Sequence, residues 1–178
     1  DNHHIEIQKN NNTTKTIYAE NIIIATGSKP RSLPDIEVDE EIIMTSDGVD
    51  HMRDFPKSMV IVGAGVIGCE YATIFSNFGK TKVYLIDRSE RVLPFEDEDI
   101  SELISNNLIE NGVTIHSKAQ LERLEKKNGK VEYELSYKDG SKEVITVDKA
   151  LLSVGRKLNI NGLKMENAGV TLSKRGVH

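Results

Sequence analysis

The sequence has a single cysteine, Cys69, and no tryptophan. One thiol rules out an intrachain disulfide and an intrachain redox dithiol, and it suits a reducing compartment. No apolar run approaches the roughly 18 residues needed to span a bilayer, and no basic stretch followed by an apolar one marks a secretory signal. We therefore expect a cytoplasmic protein without a membrane partner. Clustered positive charge is also missing. The 23 Lys and Arg are scattered among 28 acids, for a net charge of -5, which argues against a nucleic-acid surface because phosphate binding needs grouped cations. His3 and His4 lack the further His or Cys residues that would complete a metal site, so no metal is expected. No Ser/His/Asp or Cys/His nucleophilic set stands out, His51 and His116 have no evident partners, and His178 ends the chain. No catalytic residue is assigned.

What is present reads as a globular chain. Its 178 residues, 38% hydrophobic and 29% charged, can build one full core with sequence left for a partial second unit. Residues 3–8 alternate polar and apolar, Asn10–Asn12 make a turn, and 16–19 resume the alternation, which predicts a hairpin. Ile22–Ala25 is a short β-branched run ending at Thr26-Gly27-Ser28, as expected of a strand buried on both faces. Pro30, Pro34 and the acidic stretch 35–41 read as a linker. Thr45-Ser46-Asp47 can cap a short helix.

Beyond that point Met59–Val62 predicts a buried strand running into Gly63. From Val66 the period becomes helical, with Ile67, Tyr71, Ile74, Phe75 and Phe78 on the expected inner face and Gly79 at the end. Val83–Ile86 is the next strand, completing a βαβ unit. Residues 96–110 predict a second helix with Ile100, Leu103, Ile104 and Leu108 inward, and the acids Glu96–Asp99 read as partners of its dipole. Strands at 113–115, 120–125, 131–137 and 144–147 are expected to form a meander, with turns at Asn128-Gly129 and Asp139-Gly140. A buried run at 149–155 follows, and the last residues are loop-rich.

The chemistry lies in Gly63-Ala64-Gly65-Val66-Ile67-Gly68. A lone G-x-G-x-x-G is weak evidence, but here it joins a strand to a helix. Gly63 allows the tight turn, Gly65 lets backbone approach a pyrophosphate, and Gly68 lets helix pack on sheet. The helix beginning near Val66 offers unpaired N–H groups and a positive dipole end to phosphates. Asp87, 19 residues past Gly68 and directly after the second strand, can accept hydrogen bonds from ribose hydroxyls and would repel a 2′-phosphate. This favours NAD over NADP, while Arg88 and Arg91 keep the NADP reading open. Glu70 can face the cofactor or simply complement the helix dipole, and Cys69 reads as a small packing residue.

The glycine turn, Gly68–Ala72, Thr26–Arg31, Arg91-Val92-Leu93-Pro94 and Leu152–Arg156 together resemble the flavoprotein pyridine nucleotide-disulfide oxidoreductases, in particular the dihydrolipoyl dehydrogenase and soluble transhydrogenase branches. The resemblance implies an α/β fold: a Rossmann-like parallel sheet with a β-meander, the three-layer ββα NAD(P)-binding domain, plus a small β remnant of an FAD domain. It implies that residues 1–40 end the first FAD-domain segment, 41–158 form the inserted NAD domain, and 159–178 lead back toward the FAD domain. Gly63, Ala64, Gly65, Val66, Ile67, Gly68, Glu70, Asp87, Ala119 and Gly155 match positions lining the dinucleotide. Thr26, Gly27, Ser28 and Arg156 match positions on the FAD side. The resemblance further implies a homodimeric parent that passes hydride between nicotinamide and flavin. The flavin-binding glycine turn, the redox cysteine pair and the C-terminal His-Glu pair of the family are missing from these residues. The chain alone is thus expected to bind NAD without turnover. The other reading is a stand-alone NADH-binding regulatory module without chemistry.

Overall fold

The computed structural model describes residues 3–173 and 176–177, which divide into two compact units, residues 3–29 with 156–173 and 176–177, and residues 30–155. His178 lies outside the described residues. In chain order the first unit opens with β1 (His4–Gln8) and β2 (Thr14–Tyr18), an antiparallel hairpin pairing His4 with Tyr18 and Gln8 with Thr14. The next strand is β3 (Ser28–Pro30).

Ile22–Ala25, expected as a strand buried on both faces, is neither a strand nor buried. Ile22, Ile23 and Ile24 are 39%, 91% and 42% exposed. No strand pairs with this segment among the described residues, so it lacks the neighbours that would make it a buried strand.

The larger unit holds β4 (Ile43–Met44), α1 (Ser46–Val49), β5 (Ser58–Val62), α2 (Val66–Asn77), β6 (Lys82–Ile86), α3 (Glu98–Glu110), β7 (Thr114–His116), β8 (Gln120–Lys127), β9 (Lys130–Ser136), β10 (Lys142–Val147) and β11 (Lys149–Leu152). Thr45 caps α1 through its side chain, which accepts from the Asp47 N–H. Five strands form a parallel sheet in the order β4-β11-β5-β6-β7. The antiparallel β8, β9 and β10 form the meander.

Strand alternation explains the layering, since neighbouring side chains point to opposite faces. Met59, Ile61, Val83, Leu85 and Leu151 join Ala72, Phe75 and Leu108 of the helices in one core. Val60, Val62, Ile86, Ala150 and Leu152 meet Leu124, Val131, Tyr133 and Leu135 of the meander in the other. Helices, sheet and meander are the three layers.

Three further expectations change. Residues 113–115, expected in the meander, instead give β7, the edge of the parallel sheet, pairing Tyr84 with Thr114 and Ile86 with His116. Helix α2 buries Gly68, Cys69, Ala72, Phe75 and Ser76, whereas Ile74 and Phe78 are 45% and 60% exposed. Phe75 is buried and Tyr71 packs against the core as expected, while the rest of the inner face is made of small residues that let the helix lie close to the sheet. In α3, Ser101 and Leu108 are buried and Ile104 packs on the core, but Ile100 and Leu103 stay exposed. The first unit closes with β12 (Arg156–Leu158), which pairs with β3, a 3-10 turn at Met165–Ala168, and the short pair β13 (Leu172–Ser173) and β14 (Gly176–Val177).

Candidate dinucleotide crevice

From β5 the chain winds outward to β6 and β7 on one side, while β11 and β4 lie on the other. The order therefore reverses between β5 and β11, and open α/β sheets bind ligands beyond the strand ends at such a switch point. Gly63–Gly68 leave the end of β5 there, beside Ser153–Gly155 leaving β11. A crevice of about 970 Å³ opens at this place, near the top of the usual range for ligand sites of roughly 300–1,000 Å³.

The three glycines differ in what surrounds them. Gly63 has φ +102°, and a Cβ on it would stand 2.6 Å from the Ser153 carbonyl oxygen. A Cβ on Gly68 would stand 1.9 Å from the Gly63 carbonyl oxygen. Both are required by the fold. Gly65 is not: a Cβ there would meet nothing within 4 Å. It is the N-cap of α2, it lines the crevice, and no side chain caps the helix behind it. The first turn of a 12-residue helix thus faces open space with its positive end.

Asp87 stands at the end of β6 on the crevice wall. Its Oδ2 accepts from the Ala64 N–H at 2.7 Å and its Oδ1 from the Ser89 N–H at 2.7 Å. The carboxylate is thereby fixed to the glycine turn, and its remaining lone pairs can accept further donors. The Ala119 N–H donates to the Asp87 carbonyl at 3.1 Å, and the Asp87 N–H donates to the His116 carbonyl at 3.0 Å.

Of the residues singled out from the sequence, Gly63, Gly65, Val66, Ile67, Asp87, Ala119 and Gly155 line this one crevice. Ala64 and Gly68 are buried beneath it, and Glu70 is exposed outside the lining. Thr26, Gly27, Ser28 and Arg156 belong to the first unit. There Arg156 Nε donates to Ser28 Oγ at 2.7 Å and Nη2 to the Ser28 carbonyl at 2.8 Å. Asn159 donates to the Thr26 and Gly27 carbonyls.

The structure adds residues that the sequence did not single out. Ser153 Oγ lies 2.9 Å from the Val62 carbonyl and 2.8 Å from the Gly63 carbonyl, so one hydroxyl proton locks the start of the turn from the neighbouring strand. Phe95 and Leu121–Glu125 complete the walls. Arg88 on the rim makes no ion pair among the described residues, whereas Arg123 is matched by Glu125 and Glu132. Burial, helped by the Asp87 charge, pushes the Cys69 thiol up to about 11. Cys69 stays protonated, as its packing role requires.

His51 and His116 have partners after all. His51 Nδ1 is 3.0 Å from the Asp47 carbonyl. His116 Nδ1 is 2.7 Å from the Tyr137 hydroxyl, which lies 3.3 Å from Glu143 Oε2. Tyr137 and Glu143 come from the far end of the meander, so no local pattern reveals them. Burial lowers the His116 pKa from its ordinary 6.5, against the opposing pull of Glu143. His116 Nε2 and the Tyr133 hydroxyl are both buried without a hydrogen-bond partner among the described residues.

Fold and switch-point crevice define a Rossmann-like, three-layer ββα domain. The pattern of the family described as pyridine nucleotide-disulphide oxidoreductase matches residues 1–178. The chain belongs to this family of FAD- and pyridine nucleotide-dependent oxidoreductases. A dihydrolipoyl dehydrogenase of Bacillus subtilis is 39% identical over 160 residues, 89% of this chain and 34% of the relative. A soluble pyridine nucleotide transhydrogenase of Marinobacter nauticus is 39% identical over 176 residues, 99% of this chain and 37% of the relative. Among solved structures, LpdA of Mycobacterium tuberculosis superposes with a TM-score of 0.82 at 27% identity, covering 97% of this chain and 36% of that one. The HOCl-induced flavoprotein disulfide reductase RclA of Escherichia coli gives 0.78 at 28% identity, covering 98% and 38%. The chain thus spans about a third of the length of the relatives it matches. No helix among the described residues is long and apolar enough to cross a membrane.

Proposed function

We propose that the crevice binds NAD(H), and that the chain serves as the nicotinamide-dinucleotide domain of an FAD-dependent oxidoreductase of the dihydrolipoyl dehydrogenase or transhydrogenase type. The observation that carries this reading is Gly65. It is the one glycine of the turn that packing does not require, and it sits where an uncapped helix N-terminus faces a crevice. A pyrophosphate fits this place through backbone N–H groups and the helix dipole. Asp87, held by Ala64 and Ser89, is placed to accept the adenosine ribose hydroxyls.

In the parent's hydride transfer between nicotinamide and flavin, this chain binds and orients the nicotinamide dinucleotide; the redox chemistry is the cofactors' own. Arg156 donates to Ser28, and Asn159 to the Thr26 and Gly27 carbonyls, so these groups are engaged within the chain and do not by themselves fit a flavin. FAD is therefore held mainly by other residues of the parent, and the chain alone is inactive. A homodimeric parent and a cytoplasmic location accompany this reading.

One observation favours NADP: Arg88 on the rim is a cation without an ion pair among the described residues, and a 2′-phosphate would attract it. Asp87 outweighs it, because its carboxylate is fixed while the Arg88 side chain is exposed to screening solvent. Calorimetry with NADH and NADPH decides. NADH is expected to bind the purified chain, NADPH more weakly, and Asp87→Asn to narrow the difference. Tighter NADPH binding by the unaltered chain would reverse the cofactor assignment, and diaphorase activity in a flavin-free sample would contradict the inactive state.

A further inference from the structure

Phe95 is 93% exposed, yet it lines the crevice. A phenyl ring left in water forfeits the burial that normally stabilises it, and unlike exposed Ile23 or Leu103 this ring stands on the wall of the crevice. The backbone beneath it is tied down. The Leu93 N–H donates to the Ala64 carbonyl of the glycine turn at 2.8 Å, and Ser101 Oγ donates to the Leu93 carbonyl at 3.1 Å. Arg91 Nη2 donates to the Glu96 carbonyl at 3.1 Å. Leu93 itself adopts the left-handed conformation, φ +47°, an uncommon state for a branched side chain that persists where surrounding bonds enforce it. The segment is therefore a braced kink that carries Pro94 and Phe95 at the mouth.

The side of the crevice is set by topology. Phe95 follows β6, and the same connection supplies Asp87, Arg88 and Ser89 to the lining, whereas Ser153–Gly155 line it from β11. Resting on the reading of the crevice as a dinucleotide site, the ribose-facing acid and Phe95 share the adenosine half. We propose that Phe95 is a positioning residue that stacks on the adenine ring and closes the outer face of the adenosine pocket. A purine offers a π-face of matching size, and base-on-aromatic stacking tolerates either orientation of the base.

Because Phe95 is almost wholly exposed, its removal leaves the core intact, and the thermal midpoint of Phe95→Ala is expected to match that of the unaltered chain. Affinity for NADH and for ADP-ribose is expected to fall about tenfold together, with Phe95→Tyr restoring it and nicotinamide mononucleotide unaffected. The chain has no tryptophan, so Phe95→Trp also installs a single reporter. ADP-ribose, which does not absorb at indole emission wavelengths, should quench it through contact. Unchanged ADP-ribose affinity in Phe95→Ala, with NADH still binding the unaltered chain, would overturn the Phe95 assignment alone. Failure of the unaltered chain to bind either ligand would overturn it together with the reading of the crevice.

Discussion

Gly63, Gly65 and Gly68 are the same residue under three different constraints. The Cβ clashes at Gly63 and Gly68 are with backbone oxygens, which cannot rotate away, whereas Gly65 borders open space. Gly68→Ala is therefore expected to destabilise the fold by about 1–3 kcal/mol, the usual cost of overpacking. Gly65→Ala is expected to cost no more than about 1 kcal/mol, the preference of a helix N-cap for glycine over alanine, while weakening NADH binding, because its backbone lies at φ -76°, a conformation alanine adopts freely. Thermal unfolding paired with NADH titration checks both. Equal loss of stability in the two variants would mean that Gly65 serves packing. The turn and Asp87 were legible in the sequence because their steric and electrostatic tasks depend on spacing along one βαβ unit. Ser153 and Phe95 were not, since Ser153 acts across 90 residues and Phe95 has no local pattern that marks a crevice wall.

At the scale of elements, the least legible features were those set by partners. The inner face of α2 sets Phe75, which the helical period marks, beside Gly68, Cys69, Ala72 and Ser76, small side chains that close helix–sheet packing favours and that a search for large apolar residues passes over. Three-residue β7 carries too little pattern to tell a parallel edge from a meander strand. Its last residue, His116, joins two layers through Tyr137 and Glu143 of the meander and accepts the Asp87 N–H on its backbone oxygen. With Tyr137 donating to Glu143, the imidazole proton belongs on Nδ1, leaving Nε2 as the buried acceptor without a partner. Protonation would place a charge and an unpaired N–H there. Since the folded pKa lies below 6.5, the unfolded chain binds more protons between the two values. This contribution to stability is complete above the unfolded pKa and is lost as pH falls from there through the folded pKa. Urea unfolding at about pH 7.5 and about pH 5.5 is expected to show a smaller difference in His116→Gln than in the unaltered chain. An unchanged difference would place the pH sensitivity in other groups.

For the molecule as a whole, the layer order follows from strand alternation. Each central strand sends one set of side chains to the helices and the other to the meander, and the switch between β5 and β11 then fixes where a crevice can open. The three layers were legible through the family resemblance, whereas the strand order and its switch point come from pairing between distant segments. The exposed Ile22–Ile24 run was not legible either, because a strand buried on both faces is defined by neighbours that these residues do not pair with. The most direct measurement is an NMR titration of backbone amides with NADH. Saturable shifts are expected at Gly65–Gly68, Asp87–Ser89 and Ala119, with Ser58 and Lys82 at the opposite strand ends unmoved. A folded chain in which none of the crevice amides responds, or in which the responding amides lie elsewhere, would contradict dinucleotide binding at this site.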